Sequence, residues 1–161
     1  MLFEWVKILH IISASILFGT GLGTAFYMLY VNLQKNTLLI AKATTAVVTA
    51  DGLFTASSGI IQAISGFILV YLKGYSFHSF WVLGSIWGYS IAGICWFPVV
   101  WLQIQCRDLA WKAVIYETEL NSEYKKYFTM WWLLGIPAFI ALLAVFYLMA
   151  NRPESFMRIL S

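Results

Sequence analysis

Residues 8–34, ILHIISASILFGTGLGTAFYMLYVNLQ, form a run without a single Asp, Glu, Lys or Arg. Three further charge-free runs follow, at residues 52–72, 79–106 and 127–151. Each run reaches the roughly 20 residues that a helix needs to cross about 30 Å of hydrocarbon. Lipid cannot hydrogen-bond to backbone groups, so such runs should be helices. The sequence therefore predicts four transmembrane helices.

The composition supports the same fold and excludes other classes of protein. Hydrophobic residues make up 61% of the chain and charged residues 11%, whereas soluble domains carry about 25% charged residues. The net charge is +3, and no basic run indicates nucleic-acid binding. We therefore expect one all-α domain over residues 1–161, a four-transmembrane-helix bundle in contact with membrane lipids.

The spans are predicted at about residues 6–32, 50–72, 79–105 and 127–150. Asn36 is a residue type that caps helix N-termini, so helix 2 is expected to begin near Thr37, ahead of its span. The polar segment that starts at Arg107 favours continuation of helix 3 to Tyr116. Helices 2 and 3 are therefore predicted to extend beyond the membrane on the cytoplasmic side.

Lys and Arg residues set this orientation, because loops rich in them stay in the cytoplasm. Six lie on the side of the two longer connections: Lys35, Lys42, Arg107, Lys112, Lys125 and Lys126. The other four lie on the side of the termini: Lys7, Lys73, Arg152 and Arg158. The excess predicts that both termini are periplasmic.

His10 is the first candidate for chemistry, because an ionisable residue within a membrane span indicates a functional site. Ala14, Leu17 and Gly21 follow it at helical spacing, and two of these three are small. A His above small residues leaves room for a flat cofactor such as haem b, and Lys7 could neutralise a haem propionate. The alternatives are a His bonded to a backbone carbonyl and a Lys7 that extends to the interface.

Depth in the membrane limits which residues could serve with His10 as a second haem ligand. In the predicted topology His78 and Met149 lie at the same outer level as His10, and so does the small residue Gly66. Either His78 or Met149 could be the second axial ligand of a haem, although a His in a turn is commonly only solvated. Two His residues would also suit copper or zinc, but no carboxylate or thiol lies at that depth.

Polar and glycine stripes follow the first two helices. Helix 2 carries a polar face that should point into the bundle: Asp51, Thr55, Ser58, Gln62 and Ser65. Glycines recur on a neighbouring face at Gly52, Gly59 and Gly66, a pattern typical of close packing or of room for a cofactor ring. Helix 1 has small residues at Ser15, Gly19 and Gly23, a spacing that lets helices approach closely.

Helix 3 suggests a partner for the buried carboxylate of helix 2. Asp51 and Arg107 are expected at the same membrane level, and an unpaired buried charge is costly. We therefore predict an Asp51–Arg107 ion pair. The alternative is Arg107 paired with Asp108 or with a lipid phosphate.

Three segments resemble an uncharacterised bacterial family of small predicted integral membrane proteins: WVKILHIISASILFGTGLGTAF (5–26), DGLFTASSGIIQAISG (51–66) and CWFPVVWLQIQCRDLA (95–110). This resemblance covers nearly the whole chain and implies a location in the bacterial inner membrane. The first helix, through Lys7 and His10, also resembles HemJ-type protoporphyrinogen oxidases and copper-resistance D proteins. The HemJ resemblance implies b-type haem bound through a His near the start of helix 1.

Three functions are compatible with these features. The first is a haem b redox protein that exchanges electrons with a membrane quinone or a partner protein through His10. The second is a transporter or metal-uptake component, a homo-oligomer that uses the polar stripe of helix 2. The third is a structural or assembly subunit that needs only the glycine stripes. No nucleophile–His–acid arrangement or phosphate loop indicates hydrolysis.

Overall fold

A computed structural model describes residues 1–153, which fold as a bundle of helices. The helices are α1 (Leu2–Leu33), α2 (Thr37–Ala50), α3 (Ala56–Lys73), α4 (Phe80–Ile115) and α5 (Ser122–Asn151). A π-helical turn, Asp51–Thr55, joins α2 to α3, so that Thr37–Lys73 is one long helix. Across residues 1–153 there is no strand, and four helices are long and apolar enough to cross a membrane. The predicted four-helix fold is confirmed; Arg158, which entered the orientation count, lies outside the described residues.

The ends of the helices follow from local capping. The Asn36 side chain accepts a hydrogen bond from the Leu39 amide at 3.0 Å, so helix 2 begins at Thr37 as predicted. Gly74, with φ of 67°, ends α3 in the left-handed conformation that glycine adopts without strain. Asn121 caps α5 by accepting from the Tyr124 amide at 2.9 Å, which explains why this helix begins before its predicted span.

The helices pack in a ring. α1 packs against the long helix, α2 packs against α4, and α4 packs against α5. Phe18 of α1 completes the ring, since it stacks on Phe139 of α5 with ring centroids 5.2 Å apart. We call the end with Met1 and the Gly74 turn the terminal end, and the end with the Asn36 and Asn121 connections the loop end.

The apolar core lies in the half of the bundle near the loop end. Its buried side chains come from α1, α2, α4 and α5, and the largest of those under 2% exposed are Met28, Ile40, Leu102, Val31 and Val47. Two hydrogen bonds between helices reinforce it: Trp111 Nε1 donates to Thr45 Oγ1, and Tyr124 Oη donates to Asn32 Oδ1, both at 2.8 Å. The half near the terminal end is built differently, because polar side chains fill much of its interior.

Close helix packing occurs on α4 rather than on α1. A Cβ atom added to Gly84 or Gly88 would lie 2.7 Å from Leu148 or Val145 of α5, so a larger residue would force one of these side chains to shift. Ser15, Gly19 and Gly23, which were expected to pack closely, lie on an exposed face of α1. The spacing was suited to packing, but the rotation of α1 about its axis directs the opposite face to α3.

Candidate functional site

His10 lies in the terminal half, where hydrogen bonds fix its imidazole ring to α3. Nδ1 lies 2.8 Å from Ser65 Oγ, and Nε2 lies 3.0 Å from the amide nitrogen of Gln62. Ser13, one turn after His10 on α1, lies with its Oγ 2.6 Å from Gln62 Oε1. Four side chains from two helices therefore form one polar cluster, which we call the His10 cluster.

The neighbours of the His10 cluster assign the direction of its hydrogen bonds. Ser65 Oγ lies 2.6 Å from the Ile61 carbonyl, to which it donates, so it accepts from the His10 Nδ1–H. Gln62 then donates its amide N–H to Nε2 and accepts from Ser13 through Oε1. In this arrangement each ring nitrogen and each side-chain oxygen of the cluster has a partner, and His10 is a neutral imidazole with Nε2 as its acceptor atom.

A cavity of about 150 Å³ borders the His10 cluster between α3, α4 and α5. Apolar and aromatic side chains form most of its wall, and Met149 lies in that wall together with His10 and Gly66. Gly66 is in close contact with the ring, since a Cβ there would lie 3.2 Å from His10 Cε1. The structure therefore brings together three of the predicted site residues: His10, Gly66 and Met149.

The other predicted site residues lie elsewhere. Lys7 and His78 are exposed, and the cavity wall includes neither of them. Ala14 is half-buried on α1. Gly21 lines a different cavity, between α1 and α5. Among residues 1–153 there is no group of three or more His, Cys, Asp or Glu side chains that could hold a metal ion.

The donor atoms around this cavity suit a haem better than a bare metal ion. An imidazole and a thioether are a familiar axial pair for haem iron. A ligating His commonly donates its other ring N–H to an oxygen, as His10 does to Ser65. At about 150 Å³ the cavity is smaller than ordinary ligand sites, which usually measure about 300–1,000 Å³. A haem would have to displace Gln62, because this side chain is bonded to Nε2. It would also have to part Phe67 and Phe77, which are 53% and 41% exposed.

The second polar cluster centres on Asp51, whose side chain is 4% exposed at the π-helical turn. Gln103 of α4 donates to Asp51 Oδ2 at 2.7 Å, and Thr55 donates to Oδ1 at 2.9 Å. The predicted Asp51–Arg107 pair is wrong, because Arg107 instead forms an ion pair with Asp108 at 2.8 Å. Arg107 follows Gln103 by one helical turn, which places it about 6 Å nearer the loop end.

The polar stripe of the long helix connects the two clusters. All five of its residues are buried, as predicted: Asp51, Thr55, Ser58, Gln62 and Ser65. Together they span about 21 Å along the helix axis. Tyr89 of α4 lies beside the stripe and donates to the Gly59 carbonyl at 2.7 Å. The interior of the bundle thus contains a continuous polar face over most of the hydrocarbon thickness.

Sequence reasoning missed the partners that hold these groups. Ser13 was not singled out, although a serine one turn from His10 in an apolar run was a usable signal. Gln62 and Ser65 were identified as members of a stripe but not as partners of His10. Their pairing depends on the rotation of α1 against α3, which spacing within one helix does not determine.

Four apolar helices that enclose two buried polar clusters define a four-helix integral membrane protein. Residues 4–153 match the family described as "Predicted integral membrane protein (DUF2269)", and the chain belongs to that family. Comparisons with curated proteins and with solved structures find no match. The expected membership of an uncharacterised membrane family is thereby confirmed. The likeness to HemJ-type and copper-resistance D proteins stays a prediction.

Proposed function

We propose that this protein binds b-type haem in the bacterial inner membrane and has a redox or electron-transfer role. His10, through Nε2, and Met149 would hold the haem iron. The observation that carries the proposal is that His10 and Met149 line one aromatic cavity, with Gly66 against the imidazole ring. Bound haem would supply a one-electron couple for exchange with a membrane quinone or a partner protein.

The protein's own residues support this role in three ways. Ser65 accepts a hydrogen bond from the His10 Nδ1–H. This leaves Nε2 as the ring nitrogen with a lone pair for a ligand. Gly66 lets the imidazole lie against α3, because a Cβ there would be only 3.2 Å from His10 Cε1. Gln62 donates to Nε2, the ring nitrogen that would bind the haem iron, and its flexible side chain would have to turn away to allow this.

An absorption spectrum tests the proposal directly. Protein expressed in haem-replete cells, purified in detergent and reduced with dithionite should show the bands of haem b. His10→Ala should abolish them, and Met149→Leu should retain haem with shifted bands. His78→Ala is the matched control, since this exposed His should leave the spectrum unchanged. Absence of haem bands from the wild-type protein, or bands unaffected by His10→Ala, would contradict haem binding at this site.

Gln62 provides a second test, because its two expected effects have opposite signs. Gln62→Leu removes the partner of His10 Nε2 and of Ser13, so the haem-free protein should lose about 1–3 kcal/mol of unfolding free energy. The same change frees Nε2, so haem content should be retained or increased. A variant that loses haem together with stability would contradict a role for Gln62 as a displaceable partner.

A second function is favoured by the buried polar stripe. Five polar side chains on one face over about 21 Å resemble a path for protons or ions across the membrane. Asp51→Asn should then reduce flux in proteoliposomes at least tenfold. The control is Asp108→Asn, which changes a carboxylate that is 48% exposed. Equal flux in wild-type protein and Asp51→Asn would remove this alternative.

A further inference from the structure

A second cavity lies between α1, α4 and α5, away from His10. Its volume is about 290 Å³, close to the lower limit of ordinary ligand sites. Aromatic rings form much of its wall, among them Phe18, Trp96, Trp131 and Phe139. Asp51 and Thr55 of the π-helical turn also line it, and π-helical turns are frequent at functional sites.

Two residues of this wall carry a hydrogen-bond donor that has no acceptor in the described part of the chain. Trp96 and Trp131 both line the cavity, and within residues 1–153 their buried Nε1 atoms have no hydrogen-bond partner. The Trp131 side chain is only 4% exposed. Buried polar groups in native proteins are nearly always paired. Two unpaired donors on one cavity therefore indicate a ligand that supplies hydrogen-bond acceptors.

The chemistry of the wall restricts that ligand. The donors are neutral indole N–H groups, and the carboxylate of Asp51 already accepts from Gln103 and Thr55. An anionic ligand would lie against the Asp51 carboxylate, and a cation carries no acceptor and would leave both indole N–H groups unpaired. A flat, neutral molecule with carbonyl oxygens matches both the donors and the aromatic wall.

The cavity opens on the outer surface of the bundle, between α1 and α5. Leu22 of α1 and Trp132 and Ile136 of α5 belong to its wall, and they are also 50%, 41% and 41% exposed on the surface that faces lipid. Phe18 bridges α1 and α5 through its contact with Phe139. A ligand could therefore enter between α1 and α5 while its apolar tail remained in the bilayer.

We propose that the cavity between α1 and α5 binds the head group of a membrane quinone, whose carbonyl oxygens accept hydrogen bonds from Trp96 and Trp131. A quinone carries only acceptors on its ring, is flat and uncharged, and has an apolar tail. This binding does not depend on haem at His10, since no residue lines both cavities.

Photo-crosslinking of the full chain in nanodiscs tests the proposal. An azido derivative of ubiquinone-2 should label peptides of α1 or α5, and excess ubiquinone-2 should prevent the labelling. Geranylgeraniol, which has an isoprenoid chain but no carbonyl, should not compete. His10→Ala should be labelled like the wild-type protein, which separates this result from the outcome of the haem experiment.

Two variants on opposite walls should block the site without disturbing the fold. A Cβ added to Gly21 or Gly135 meets nothing within 4 Å in the described part of the chain, so Gly21→Leu and Gly135→Leu extend into open space. Each should reduce labelling at least tenfold while the thermal midpoint of unfolding is maintained. Gly23→Leu is the matched control, because Gly23 is equally uncrowded but lies on the exposed face.

The donors are tested by substitutions that keep the ring. Trp96→Phe and Trp131→Phe should each weaken ubiquinone-2 binding several-fold, whereas Trp87→Phe, at a residue that is 68% exposed, should not. Labelling that persists in folded Gly21→Leu and Gly135→Leu would overturn the proposal. So would equal competition by geranylgeraniol, or binding unchanged in both tryptophan variants.

Discussion

At the residue scale, His10 illustrates how an ionisable side chain can be accommodated within a membrane helix. Both ring nitrogens have partners on α3, at 2.8 and 3.0 Å, and Ser13 satisfies the amide that bonds to one of them. Lipid offers no hydrogen bonds, so burial of the ring without these partners would be energetically costly. The same partners fix the ring against Gly66, so the glycine and the histidine act together.

Gly66→Val tests this contact. A branched side chain would collide with the imidazole, because even a Cβ would lie 3.2 Å from His10 Cε1. We expect a loss of about 1–3 kcal/mol in unfolding free energy, the usual cost of overpacking. Gly19→Val, at an exposed glycine, is the control. Equal stability of the two variants in detergent would show that the contact between Gly66 and His10 does not contribute to the free energy of unfolding.

Gln103→Leu tests the partner of Asp51. The substitution removes the amide that donates to Asp51 Oδ2 at 2.7 Å and leaves a buried carboxylate underpaired. The free energy of unfolding should fall by about 1–3 kcal/mol. Gln105→Leu, two residues along the same helix, should change it much less. A similar loss in both variants would argue against a specific role for Gln103.

Sequence reasoning identified His10 and Asp51 as the buried ionisable groups but erred on the partner of Asp51. Charge complementarity favoured Arg107, whereas the structure pairs Asp51 with the neutral Gln103. A difference of one helical turn decides between them. Axial register between two helices depends on side-chain packing along the whole interface, which one sequence does not reveal.

At the element scale, α4 and α5 pack most closely together, because two glycines of α4 lie at their interface. A Cβ at Gly88 would lie 2.7 Å from Val145 and 3.3 Å from the Ala141 carbonyl oxygen. The second atom belongs to the backbone and cannot rotate away. The start of α2 was predictable, because Asn36 marks it locally, and the charge-free runs located the four spans. The faces used for packing were not predictable from spacing alone.

Gly88→Leu should therefore separate α4 from α5. We expect a lower thermal midpoint and loss of monodispersity in size-exclusion chromatography. Gly93→Leu is the control on the same helix, since a Cβ there meets nothing within 4 Å in residues 1–153. An unchanged thermal midpoint and monodisperse elution of Gly88→Leu would mean that α5 can move away from α4 without loss of stability.

At the scale of the whole molecule, the two halves of the bundle differ in what fills them. The loop half contains the apolar core around Met28, Ile40 and Leu102. The terminal half contains the His10 cluster and its cavity. The four charge-free runs predicted the four helices, because a helix satisfies its backbone hydrogen bonds within one segment in lipid. The division between halves emerges only from tertiary packing.

Orientation is a prediction at this scale as well. In a variant with Cys95 and Cys106 replaced by alanine, Ser76→Cys should react in intact cells with a membrane-impermeant maleimide. Glu117→Cys should react only after the membrane is opened. Both positions are exposed, at the terminal and loop ends respectively. The reverse pattern would place the termini in the cytoplasm.

The His10 cluster also has a consequence for biosynthesis. The imidazole lies on the first helix to be made, while its partner Ser65 is 55 residues further along the chain. At about 5–20 residues per second, the ribosome needs roughly 3–11 seconds to supply that partner. During this interval the nascent first helix holds an unpaired histidine, which favours a position near the aqueous interface or the insertion machinery. We therefore expect release of the first helix into lipid to follow the arrival of the long helix, which brings the partners of His10.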